Sequence, residues 1–128
     1  WETAHTMQPI TERGSQKYLR GKSYWPWIGR GFVQLTWQRN YKAFQPEVKN
    51  IFGVDILADP DAALKLGPAA YIMFEGMERG VFTGKKLSDY FSDKKTDWLN
   101  ARRIINGVDK ASEIAAIGKM FYADLVAS

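Results

Sequence analysis

Apolar positions recur at spacings of three and four along most of this chain, and the breaks between those runs mark its elements. From Thr36 onward, Trp37, Asn40 and Tyr41 stand at helical spacing, with Thr36 placed to cap the start. Gln45-Pro46 is expected to end that helix, because a proline ring removes a backbone donor and crowds the preceding turn. A short helical turn over residues 47–52 then leads to Gly53. Asp59-Pro60 reads as a helix start, with Asp as cap and Pro in the first turn. Gly67-Pro68 breaks that helix and begins another, from Ala69 to about Arg79, closed by Gly80. Its Ala69, Ile72, Met73 and Met77 mark a core face. Residues 86–91 read as a short helix and 98–105 as a second, capped by Thr96 or Asp97, with Gly107 past its end. Asp109 is placed to cap the last helix, on which Ile114, Ile117, Phe121 and Leu125 form a stripe expected to be buried.

Three stretches depart from the helical period. Residues 1–7 read as the end of a helix stopped before Pro9, with Glu2 and His5 on one face. Residues 14–26, rich in Gly, Ser, Lys and Tyr, suit a β-hairpin or a long loop. Residues 32–36 alternate large apolar and polar side chains, as a short half-buried extended segment does, with Gln34 and Thr36 on one face and Val33 and Leu35 opposite. Two glycines around Arg30 precede that segment, so Arg30, Gln34, Thr36 and Asn40 are expected to be presented at a strand-to-helix corner. The class is mainly α, with a small β-hairpin or long-loop excursion before the central corner.

Composition narrows the picture. A chain of 128 residues with 45% apolar side chains is expected to form one domain with one core. No apolar run is long enough for a membrane span. Without Cys there is no disulfide, thiol nucleophile or thiolate metal site, and a single His argues against a dedicated transition-metal centre. No cofactor is called for. The chain opens at Trp1 without an initiator Met or a signal-peptide pattern and reads as a piece of a longer protein. Its net charge is +4, and no Asp or Glu lies between Glu12 and Glu47, an interval that holds Arg13, Lys17, Arg20, Lys22, Arg30, Arg39 and Lys42. That basic interval, interleaved with Tyr18, Tyr24, Trp25 and Trp27, suits a polyanion: the anionic bacterial wall, or a nucleic acid.

The run Gly29-Arg30-Gly31-x-x-Gln34-Leu35-Thr36-Trp37-x-x-Asn40-Tyr41 resembles the signature of the family 19 glycoside hydrolases, the chitinases and phage endolysins of the lysozyme-like superfamily. Glu2-Thr3 and the segment from Ala101 through Arg103 to Ile105-Asn106-Gly107 are similar to two further blocks of that family, in the same order. Phe82-Thr83-Gly84-Lys85-Lys86-Leu87 looks like a segment of its phage members. The sequence departs from the family where Trp1 replaces a usual His before the acid, and where Ile28 replaces a common Tyr before Gly-Arg-Gly.

The resemblance implies one lysozyme-like catalytic domain over residues 1–128, lacking its N-terminal segment, that cleaves β-1,4 bonds between N-acetylated amino sugars. Such hydrolysis needs one carboxyl group that protonates the leaving oxygen and another that activates water. Glu2 and Glu12 are the only acids in the first 46 residues. By the resemblance Glu2 is the general acid, its pKa raised if its surroundings are apolar, and Glu12 the general base, kept ionised by basic neighbours. Thr36 would hold the attacking water. Gln34, Asn40 and Asn106 would bind sugar substituents, and Arg103 would bridge to a carboxylate. Tyr24, Trp25 and Trp27 suit either stacking on sugar faces or core packing. The mechanism implied inverts configuration. Peptidoglycan is favoured over chitin, because a neutral polymer gains little from this charge. A monomer is expected, acting on the bacterial cell wall, without nucleic acid as partner. A chitinase and a non-catalytic wall-binding module are the alternatives.

Overall fold

A computed structural model describes residues 19–128. Glu2, His5 and Glu12 lie outside the described residues. The chain divides into two compact units, Trp1–Met73 and Phe74–Ser128. The described fold is mainly helical with one small antiparallel sheet, in keeping with the mainly α class. Among the described residues no helix is long and apolar enough to cross a membrane.

In the first unit, residues 21–27 form a run of turns, closed by Lys22 N–H to Leu19 O (3.0 Å), Trp25 N–H to Lys22 O (3.1 Å) and Trp27 N–H to Tyr24 O (2.6 Å). The excursion expected over residues 14–26 is corrected in its described part: Leu19 and Arg20 are helical, and the loop begins only at Gly21. The hairpin instead falls after the central corner, where β1 (Phe91–Ser92) pairs with β2 (Lys95–Thr96).

The extended segment expected over residues 32–36 is also corrected. Arg30 and Leu35 exchange backbone hydrogen bonds (Arg30 N–H to Leu35 O 3.2 Å, Leu35 N–H to Arg30 O 2.9 Å), and residues 31–34 turn between them. The turn reverses the chain because Gly31 takes φ +79° and Gln34 φ +54°. A Cβ at Gly31 would meet Ala63 O at 3.4 Å and Ala69 Cβ at 3.5 Å, which is ordinary contact, so the cost of a side chain there is backbone strain. Gly31→Ala is expected to lower stability by about 1–2 kcal/mol, read from the midpoint of denaturant unfolding.

Helix α1 (Gln38–Phe52) passes through Pro46, against expectation, and ends at Gly53 in the left-handed conformation. The interruption is tolerated because Pro46 and Lys42, whose carbonyl loses its donor, both stand on the exposed side of the helix, where solvent can satisfy that carbonyl. The opposite face buries Tyr41, Phe44, Gln45 and Val48. Gln45 is held there by accepting the Ile56 N–H at 2.7 Å. Asp59 and Pro60 start a 3₁₀ turn, Pro60–Leu64, and α2 (Leu66–Arg79) follows, closed by Gly80 at φ +74°. The core of this unit gathers Ile28, Leu35, Tyr41, Phe44, Val48 and Ile72.

In the second unit, the expected helices over 86–91 and 98–105 shrink to 3₁₀ turns, Leu87–Asp89 and Asn100–Ile104. Asp97 does cap the latter, accepting the Asn100 N–H (3.0 Å) and side-chain amide (2.9 Å). These donors, the backbone N–H first, hold the Asp97 carboxyl below its ordinary 3.8 against a small opposing effect of burial, with help from Lys95 and Arg103. A depressed carboxyl stabilises the fold above its unfolded pKa, and that contribution disappears as pH falls through the folded value. Asp97→Asn is therefore expected to flatten the loss of stability that begins near about pH 5, in unfolding curves measured at successively lower pH.

Helix α3 (Ala111–Ala127) starts from Lys110 in the left-handed conformation, without the expected Asp109 side-chain cap. The stripe expected to be buried is exposed: Ile114, Ile117, Phe121 and Leu125 all face outward. What packs instead is the neighbouring face of small residues, Ala111, Ala115 and Gly118, with Trp98 set against Gly118. Large side chains at that face would hold the helix off Trp98, so small ones occupy it.

Candidate functional site

The central corner is built around a guanidinium turned inward. Arg30 is 6% exposed; its Nε donates to Asp61 Oδ1 (2.9 Å), and one Nη donates to Pro26 O (2.8 Å) and Tyr41 Oη (3.0 Å). Tyr41, fully buried, donates onward to Ile28 O at 2.6 Å. Arg30 therefore ties the turn before the corner, the start of α1 and the 3₁₀ turn at Pro60–Leu64. It is a positioning group and not, as its place in the motif suggested, one presented to a ligand.

Gln34, Thr36 and Asn40 follow one another along the outer side of this frame. Gln34 Nε2 donates to Gly31 O (3.1 Å), Thr36 Oγ1 to Gln34 O (2.7 Å) and Asn40 Nδ2 to Thr36 O (2.7 Å). All three are part-exposed. Thr36 does not cap α1, whose N-cap position is Trp37 with no side-chain hydrogen bond; its hydroxyl hydrogen is committed to Gln34 O. That commitment leaves the lone pairs of Oγ1 as acceptors, which suits a group that receives a hydrogen bond from water or a sugar hydroxyl.

Trp37 stands where the cap was expected, at φ +73° and ψ +137°. A bulky side chain in the left-handed region costs about 1–3 kcal/mol and persists only where its surroundings impose it. Here its N–H donates to Trp27 O (2.9 Å), its carbonyl receives the Asn40 N–H (3.0 Å), and its ring meets Tyr24 edge-on at 5.4 Å. The indole is 42% exposed. Beside it opens a cavity of about 300 Å³, lined by Tyr24, Trp25, Trp27, Trp37, Gln38 and Arg39, with Ser23 at its edge. Arg39 rests its guanidinium 6.0 Å from the Trp37 ring centre, and Arg20 lies 5.7 Å from that of Trp25. Tyr24 and Trp27 thus line an open pocket; Trp27 also packs on Tyr41 with ring centres 5.2 Å apart, so it serves core and pocket together.

Trp37 and Arg39 escaped the reading of the sequence as pocket residues. Helical spacing puts Trp37 inside a helix, and nothing local signals a left-handed tryptophan.

Arg103 and Asn106 belong to the second unit. Arg103 is exposed, with its Nε donating to Asn100 Oδ1 at 3.3 Å. Asn106 is exposed, and its Oδ1 accepts the Gly107 N–H at 2.8 Å, which leaves its amide hydrogens toward solvent. The Thr83 hydroxyl lies 2.6 Å from Arg103 O and 3.1 Å from Ile104 O, so the segment containing Thr83 supports the backbone that carries both side chains. Among the described residues no group of His, Cys, Asp or Glu is placed to hold a metal ion.

No protein-family model, no curated protein and no solved structure matches this chain.

Proposed function

We propose that this chain is a lysozyme-like glycoside hydrolase of the family 19 type, cutting β-1,4 bonds between the N-acetylated amino sugars of peptidoglycan with inversion of configuration. The observation that carries the reading is the corner itself. Three side chains of the motif, Gln34, Thr36 and Asn40, lie in sequence along one part-exposed edge, each oriented by a hydrogen bond of 2.7–3.1 Å. A row of amides and a hydroxyl acceptor is what binding acetamido and hydroxyl groups requires, and orientation before binding lowers its entropic cost.

In this reading Glu2 donates the proton to the leaving oxygen and Glu12 takes one from water. Thr36 accepts a hydrogen bond from that water, and Gln34 and Asn40 hold the sugar. Asn106 binds a further sugar group and Arg103 pairs with a carboxylate. An inverting site keeps its carboxyl groups roughly 6.5–9.5 Å apart, to leave room for the water. Chitin is the second substrate considered, favoured by the amides alone; the basic surface favours the anionic wall.

The test is mass analysis of products from purified peptidoglycan, beside a chitin-oligomer assay. Reducing-end amino sugars released from the wall support the reading. Release from chitin alone moves the substrate to chitin. Wall binding without product makes the chain a binding module.

A further inference from the structure

We infer that the aromatic pocket at the start of α1 recognises a carboxylated saccharide, with the carboxylate on Arg39 and the adjoining ring on the Trp37 indole. The inference rests on the wall-hydrolase reading for the identity of the polymer and goes beyond it by assigning the pocket and its ligand chemistry.

Four observations lead there. The cavity, about 300 Å³, is of the size that one sugar residue with a substituent fills, and indoles and a phenol form most of its wall. Trp37 is held in the left-handed region with its ring still substantially open to solvent, and strain of this kind gathers where a side chain must be presented. Arg39 is exposed, lies over that ring, and makes no ion pair among the described residues. Finally, no acidic residue occurs between Glu12 and Glu47, so no neighbour in sequence supplies Arg39 with a carboxylate.

A neutral sugar asks only for a flat apolar face and a few amides. A guanidinium beside an indole adds a planar pair of donors, which matches a carboxylate through two parallel hydrogen bonds. The planar fork of an arginine is itself pre-organised, so less freedom is lost per hydrogen bond when the anion arrives. Ring and charge therefore sit side by side, as they do in an amino sugar bearing a lactyl group or a stem peptide with free carboxylates. Chitin has no such anion.

The test measures binding of two probes by the full chain carrying Glu2→Gln, which keeps the ligands intact. One is the disaccharide-tetrapeptide of peptidoglycan and the other is chitotetraose. Adding Arg39→Gln is expected to weaken the disaccharide-tetrapeptide about tenfold and to leave chitotetraose within about twofold. Arg39→Lys should fall between, because it keeps charge but loses the paired donors. Trp37→Ala should weaken both probes. Equal loss of both probes with Arg39→Gln, no loss of either, or no binding of the disaccharide-tetrapeptide at all overturns the inference. Thermal melts of each variant separate lost binding from lost fold. The hydrolase reading is scored apart, by product release from walls with the unsubstituted chain: release with Arg39-independent binding sinks only this inference, and Arg39-dependent binding without release sinks only the hydrolase.

Discussion

Replacing Glu2 with Gln is expected to slow release of reducing ends from peptidoglycan by about 10²–10⁴-fold while binding to walls persists. The substitution keeps the size of the side chain and removes its acidic proton. An amide cannot protonate the glycosidic oxygen, so the leaving group must depart as an alkoxide, and the barrier rises accordingly. In the proposed reading binding rests on groups such as Gln34 and Asn40, which Glu2→Gln leaves untouched, so kcat should fall with little change in KM. Glu12→Gln should give a loss of similar size by a different route, since water then lacks its base. The two are distinguished with a substrate carrying an activated leaving group, which needs no acid: it should rescue Glu2→Gln and leave Glu12→Gln slow. An active Glu2→Gln chain on native walls removes Glu2 from the mechanism.

Arg30→Ala is expected to destabilise the first unit by about 3–4 kcal/mol, read from denaturant unfolding. The loss has three sources. Pro26 O is left without its charged donor at 2.8 Å, Tyr41 Oη loses the hydrogen bond it accepts at 3.0 Å, and a long buried side chain leaves a void. Asp61, half-exposed, is rehydrated when Arg30 goes, so the ion pair itself contributes little to the total. Asp61→Asn leaves the buried guanidinium without its counter-charge and should cost about 1–3 kcal/mol. Arg30→Lys should recover only part of the loss, because an ammonium cannot reach Asp61, Pro26 and Tyr41 with one rigid fork. A drop below about 1 kcal/mol for Arg30→Ala would mean that the frame closes without its guanidinium.

How far the sequence was legible follows from where its signals act. Gly80 ends α2 as its place after a periodic run implies, and Asp97 caps the turn at Asn100–Ile104, because both are local effects within a few residues. The clustering of Gln34, Thr36 and Asn40 was readable in the same way, since their order along a short corner settles their proximity. The inward turn of Arg30 was not readable, because its partner Asp61 stands 31 positions on. Pro46 was misjudged for a related reason: the rule assumes that the lost hydrogen bond cannot be replaced, and here Lys42 and Pro46 both lie on the exposed side of the helix. The α3 stripe shows a third kind of limit. Periodicity identifies an apolar face but not what covers it, and the small-residue face beside it made the contact with Trp98 instead.

Pro46 carries a further consequence for how α1 bends. A helix curves with its solvent side on the outer arc, where carbonyls tilt toward water, and a proline on that side enforces the same sense. The unmatched carbonyl of Lys42 lies on the exposed side, so any flexing of α1 opens outward there and closes over Tyr41, Phe44 and Val48.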